Sequence, residues 1–80
     1  SVKTGTVNET FVAYAYYKDG APKAINNADL TWNVVSEGGT ALNVASGVVS
    51  GTGTTGTFSF KAYVTAKPEL IAMGSVVVAD

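Results

Sequence analysis

From Phe58 to Thr65 the chain alternates apolar and polar side chains without a break. Phe58, Phe60, Ala62 and Val64 fall on one side, and Ser59, Lys61, Tyr63 and Thr65 on the other. A period of two marks a strand with one buried and one wet face. The stretch 56–65 is therefore expected to be a central strand of a β-sandwich, with Phe58, Phe60 and Val64 in its core.

Other stretches repeat the pattern less cleanly. Residues 1–7 alternate weakly through Val2 and Val7 and read as a short edge strand, broken by Asn8 and Glu9. Residues 10–18 read as a second strong strand, but both of its faces are apolar or aromatic. Parity alone does not choose between them. Phe11, Ala13 and Ala15 are assigned inward, because small residues let two sheets approach and phenol hydroxyls favour a wet edge. Lys18, Asp19 and Gly20 turn the chain. Residues 21–27, with Pro22 and the pair Asn26 and Asn27, read as a loop with a brief extended piece around Ile25.

Strict alternation returns with Leu30, Trp32 and Val34 inward and Thr31 and Asn33 outward. Glu37, Gly38 and Gly39 form the next turn. Residues 40–45 and 47–50 give two short strands around a break at Ser46 and Gly47, and 51–56 reads as a flexible loop. Pro68 stops the strand that follows, since proline cannot donate to a ladder. Residues 69–73 have the composition of a helical turn but are too few to nucleate a helix alone. Residues 74–78 are a last strand with Val76 and Val78 inward. About seven short strands, with turn signals between them and no amphipathic helix, predict an all-β, two-sheet antiparallel sandwich.

Composition narrows the chemistry. Eighty residues make one small domain. The absence of Cys removes disulfides and thiolate metal sites, and the absence of His removes the commonest metal ligand and general base. Five Lys against six acidic residues leave a net charge of −1. That offers no electrostatic footprint for nucleic acid and no basic cluster for an anionic membrane. No stretch is apolar for long enough to cross a bilayer, so no membrane insertion is expected. The chain opens on Ser1 without a signal-peptide pattern. The expectation is a single domain, residues 1–80, cut from a longer multidomain protein. A make-up of Val, Thr, Ala, Ser, Gly and Asn suits extracellular or particle-surface β-proteins.

Several pieces together resemble the bacterial immunoglobulin-like domains found in tandem in intimin/invasin-type adhesins, S-layer proteins and some phage virion proteins. Phe11 to Gly20 looks like the family's strand B with its Asp-Gly turn, and Leu30, Thr31 and Trp32 like its strand C core. Ser46 to Val49 looks like the short "G-x-V" strand, Gly56 to Val64 like strand F, and Gly74 to Val78 like the closing strand. The stretches 51–56 and 68–73 depart from the family pattern. The resemblance implies an immunoglobulin-like sandwich, an extracellular place on a bacterial surface or phage particle, and a non-enzymatic structural or adhesive role. Its implied partners are neighbouring domains of the same chain, with a host-surface protein or a glycan as an external partner. The core expected from the alternation comprises Phe11, Leu30, Trp32, Val34, Phe58, Phe60, Val64, Val76 and Val78.

Candidate sites are few. Gly51, Gly53 and Gly56 match G-x-G-x-x-G, yet a strand follows them where a dinucleotide site needs a helix N-terminus. Asp19, Asp29, Asn26 and Asn27 could offer oxygens to Ca²⁺, which requires six to eight in a converging cage; turn chemistry accounts for them more simply. The six carboxylates are scattered, no Ser or Thr has an activating His, and Asn8 to Thr10 is a glycosylation sequon by pattern only. No catalytic residue, metal or cofactor is expected. Tyr14, Tyr16 and Tyr63 remain as surface-contact candidates, with Tyr17 beside them, since aromatics on a sheet can stack on sugars or anchor a protein. A carbohydrate-binding module using Tyr14 and Tyr16 is the alternative function. The immunoglobulin-type assignment puts Tyr63 on the opposite sheet from those two.

Overall fold

A computed structural model describes all of Ser1–Asp80. It contains eight strands: β1 (Gly5–Thr10), β2 (Tyr14–Ala15), β3 (Lys23–Ala24), β4 (Leu30–Ser36), β5 (Leu42–Ala45), β6 (Val48–Gly53), β7 (Gly56–Val64) and β8 (Lys67–Val78). One 3₁₀ turn, Asn27–Asp29, precedes β4. The strands form two three-stranded antiparallel sheets, ordered β1-β6-β5 and β4-β7-β8, and a small ribbon of β2 and β3. Val2 adds a single parallel bridge to Val78. The fold is all-β, as the alternation predicts.

The two sheets share one core. Val7, Leu42, Val44 and Val49 come from the first sheet, and Phe58, Phe60, Val76 and Val78 from the second. β7 is the middle strand of its sheet, and its inward side chains Phe58, Phe60 and Ala62 are all buried. The Phe60 ring meets Phe11 edge-on at 4.9 Å and lies 6.0 Å from Trp32 and 6.3 Å from Phe58. Such aromatic contacts add about 0.5–1.5 kcal/mol each beyond area burial. Opposite Phe60 on β8 stands Gly74, where a Cβ would come within 2.5 Å of the ring. Glycine there gives the ring its space.

Several expectations are corrected. β1 runs straight through Asn8 and Glu9, because all six of its residues pair with β6. Of the strand expected over 10–18 only Thr10, which ends β1, and Tyr14–Ala15 are extended in a sheet; with both faces apolar the stretch had no preferred register, and β6 is already paired on both sides. Residues 51–53 continue β6 as strand rather than loop, since Gly51 pairs with both Val7 and Leu42. A Cβ on Gly53 would press on Val7 and Val78, so the flexible-looking glycines are sites of close packing. Residues 69–73 belong to β8 rather than to a helical turn, their pairing with β7 overriding local propensity. Pro68, Glu69 and Leu70 fall inside a register shift, where Val64 pairs with Lys67 but Tyr63 pairs with Ile71. Val34 is not core: it is 43% exposed, on the edge strand β4 beside the irregularity between Val34 and Ser36. Phe11, Leu30, Trp32 and Val64 are half-buried. The Trp32 indole Nε1 is buried without a hydrogen-bond partner.

Between the sheets the chain crosses at two turns, one after β4 and one at Thr54 and Thr55 after β6. Thr40 joins them. It is fully buried, and its Oγ1 accepts from the Thr54 N–H at 2.9 Å. The Thr54 Oγ1 donates back to the Gly39 carbonyl at 2.7 Å. Thr40→Val keeps the volume but strands the Thr54 N–H, and is expected to cost about 1–3 kcal/mol. Urea unfolding of the variant checks this, and Thr40→Ser should recover most of the loss.

Candidate functional site

The inner face of β4-β7-β8 is covered unevenly. At the Phe58 and Val76 end the first sheet packs on it. At the other end only the two-residue strands β2 and β3 lie over it, their ribbon extended by the Ile25 N–H donating to the Ala13 carbonyl at 2.8 Å. Two such short strands cannot close a core. What remains is an open groove of about 460 Å³. Ala13, Ala15 and Ile25 form one wall, Leu30, Ala62 and Val64 the floor, and Leu70 and Ala72 the other wall, with Ile71 at its rim. Tyr14, Tyr16 and Tyr17 stand around it, and Glu69 is its single charged residue.

The tyrosines are accessible: Tyr16 is 80% exposed, and Tyr14 and Tyr17 are at least half exposed. The Lys23 Nζ lies 6.0 Å from the Tyr17 ring centroid, at the outer limit of a cation–π contact. Leu70 and Ile71 are also more than half exposed. The arrangement can hold a flat or apolar group against several aromatic faces. It contains neither a nucleophile with a base nor a set of converging metal ligands; no three of the Asp and Glu residues stand close enough to hold a metal ion.

Tyr63 lies outside this groove. It sits on the outer face of its sheet, paired across strands with Thr31 on β4 and Ile71 on β8. Tyr14 and Tyr16 are thus brought together and Tyr63 is not. The groove's far wall and rim, Leu70 and Ile71, have no signal in the sequence beyond two adjacent large apolar residues after a proline. The Asn pair does turn chemistry: Asn26 Oδ1 accepts from the Ala28 N–H at 2.9 Å, and Asn27 Nδ2 donates to the Ser46 carbonyl at 2.8 Å. Gly51, Gly53 and Gly56 lie on strands that flank a two-residue turn, with no helix N-terminus to receive a phosphate. Comparison with protein-family models, curated proteins and solved structures found no match.

Proposed function

We propose that this chain is an immunoglobulin-like sandwich serving as a non-enzymatic structural or adhesive module of a bacterial cell-surface or phage virion protein. The observation that carries the proposal is the strand order. β1-β6-β5 against β4-β7-β8 follows the B-E-D and C-F-G order of an immunoglobulin-type sandwich when Gly5–Thr10, rather than the stretch from Phe11 to Gly20 that resembles strand B, stands in strand B's place. The molecule's polarity supports an adhesive rather than a purely spacing role. Val2 and Val78 lie side by side, while the groove opens around Ala72, six residues earlier on β8. At about 3.3 Å per residue that separation is roughly 20 Å. A module held through Val2 and Val78 would present its aromatic groove about half-way along a body 41 Å long. Neighbouring domains and a host-surface protein are the partners this reading supplies.

The gathering of Tyr14, Tyr16 and Tyr17 around one groove favours a second reading, a carbohydrate-binding module in which sugar rings stack on tyrosines. Titration with a panel of soluble glycans, followed by Trp32 and tyrosine fluorescence, separates the two. The structural and protein-adhesive reading expects no saturation. Saturable binding that Tyr14→Ala and Tyr16→Ala each weaken by about tenfold, or about 1.4 kcal/mol, would replace it with the carbohydrate reading.

A further inference from the structure

β8 is an edge strand, and its outer side is open over a short, defined window. The backbone direction follows from three hydrogen bonds. Val2 N–H donates to the Val77 carbonyl at 2.8 Å, and Ala79 N–H to the Val2 carbonyl at 2.9 Å, so Val77 and Ala79 turn their polar groups outward. The Thr65 N–H donates to the Asp29 carbonyl at 3.0 Å, which makes Leu30 and Val64 a non-hydrogen-bonded pair. The even-numbered residues of β7 therefore turn their polar groups towards β8, where they meet Ala72, Gly74, Val76 and Val78. Both routes leave Ile71, Met73 and Ser75 with N–H and C=O aimed away from the sheet. Val2 closes the window at one end, and the register shift at Pro68, Glu69 and Leu70 closes it at the other.

Natural edges are blunted by Lys, Pro or inward charge. Residues 71–75 carry none of these, and the side chains of Ile71 and Met73 project from the outer face, where Met73 is 66% exposed. Total accessible surface points the same way. A compact monomer of 8.2 kDa is expected to expose about 4,500 Å², against 5137 Å² here. The excess, about 600 Å² per chain, belongs to the whole molecule, the open groove and this edge together, and two chains' worth equals the lower end of a specific two-chain interface.

We infer that the occupant of this edge is a second copy of the chain, its β8 running antiparallel about a two-fold axis at Met73. That axis sets Met73 against its own copy and Ile71 against the copy's Ser75, so all three residues on each chain exchange both backbone bonds. A window with no charge, on a chain of net charge −1, offers little electrostatic resistance to self-pairing. The closure at each end matches: beyond Ser75 the copy's register shift lifts it clear of Val2. The result is one continuous six-stranded sheet, with Tyr63, Ile71 and Met73 of both chains on one face.

Sedimentation equilibrium of the 80-residue chain over 5–200 µM, with three variants, tests this (concentrations on the order of weak-to-moderate Kd values). The wild type is expected to reach twice the 8.2 kDa chain mass within that range. Met73→Glu puts two carboxylates face to face in the dimer, while in each chain the new side chain lies opposite Lys61 and favours the fold. It should shift the equilibrium to monomer at least tenfold without lowering the melting temperature at the lowest concentration, where the wild type is also monomeric and dimerisation adds no stability. Met73→Cys should oxidise to a single interchain disulfide, and Tyr16→Ala should leave the dimer intact. A wild type monomeric throughout, or a dimer indifferent to Met73→Glu, overturns the inference. A dimer lost with Tyr16→Ala instead assigns self-association to the groove and likewise overturns it.

Discussion

Replacing Phe60 by alanine is expected to cost about 3–5 kcal/mol, the range for removing a buried phenylalanine. The side chain is 3% exposed and touches three other aromatic rings, Phe11, Trp32 and Phe58. It also covers Gly74, so its loss leaves a hole with no side chain on the neighbouring strand to fill it. A domain of this length has a total stability of roughly 4–12 kcal/mol. The substitution therefore removes a large share of it, and the melting temperature should fall by more than about 12 °C. Calorimetry and urea unfolding measure it directly. A shift of only a degree or two would mean that Phe60 is not the hub of the core.

Gly38→Ala is the second large effect, expected at about 2–5 kcal/mol. Two terms combine. Gly38 sits at φ +60°, where a Cβ crowds the following carbonyl at about 1–2 kcal/mol. The new methyl would also collide with the Thr57 backbone carbonyl at the start of β7, a rigid neighbour that cannot rotate away; overpacking of this kind costs about 1–3 kcal/mol. Gly39→Ala separates the terms. Its φ is +88°, but the nearest atom to a Cβ is the Thr55 carbonyl at 3.7 Å. It should carry the conformational cost alone and be the milder by at least about 1 kcal/mol. Equal losses at the two positions would show that the close approach of the two crossover turns is not what requires Gly38.

Both effects depend on β7, and β7 was legible from residues alone. Its alternation from Phe58 onward separates apolar from polar without ambiguity, so period and burial agree. Val76 and Val78 of β8 and the turns at Gly38–Gly39 and Ser46–Gly47 read correctly for the same local reasons; Ser46 and Gly47 both have positive φ, as a type I′ hairpin turn requires. The stretch 10–18 did not read, because two apolar faces carry no register. Its fate turned on β6, which β1 and β5 already flank. The length of β8 was hidden by Pro68 and by the helix-favouring Glu69, Leu70 and Met73, whose preferences are worth tenths of a kcal/mol against a run of ladder bonds. The tyrosines of the groove were legible as exposed residues, but their convergence with Leu70 and Ile71 joins distant parts of the chain.

Local pattern was thus sufficient for the all-β class, the central strand, the aromatic core and the hairpin turn at Ser46 and Gly47, since each follows from the local alternation and turn chemistry. Tertiary pairing alone decided that β1 extends through Asn8 and Glu9, that Gly53 and Gly74 are packing sites, that the β2–β3 ribbon leaves a groove open, and that three residues of β8 face outward unpaired. The reason is physical: a strand's period says which side chains share a face, whereas its neighbour and its end depend on which backbone partners the rest of the fold leaves free.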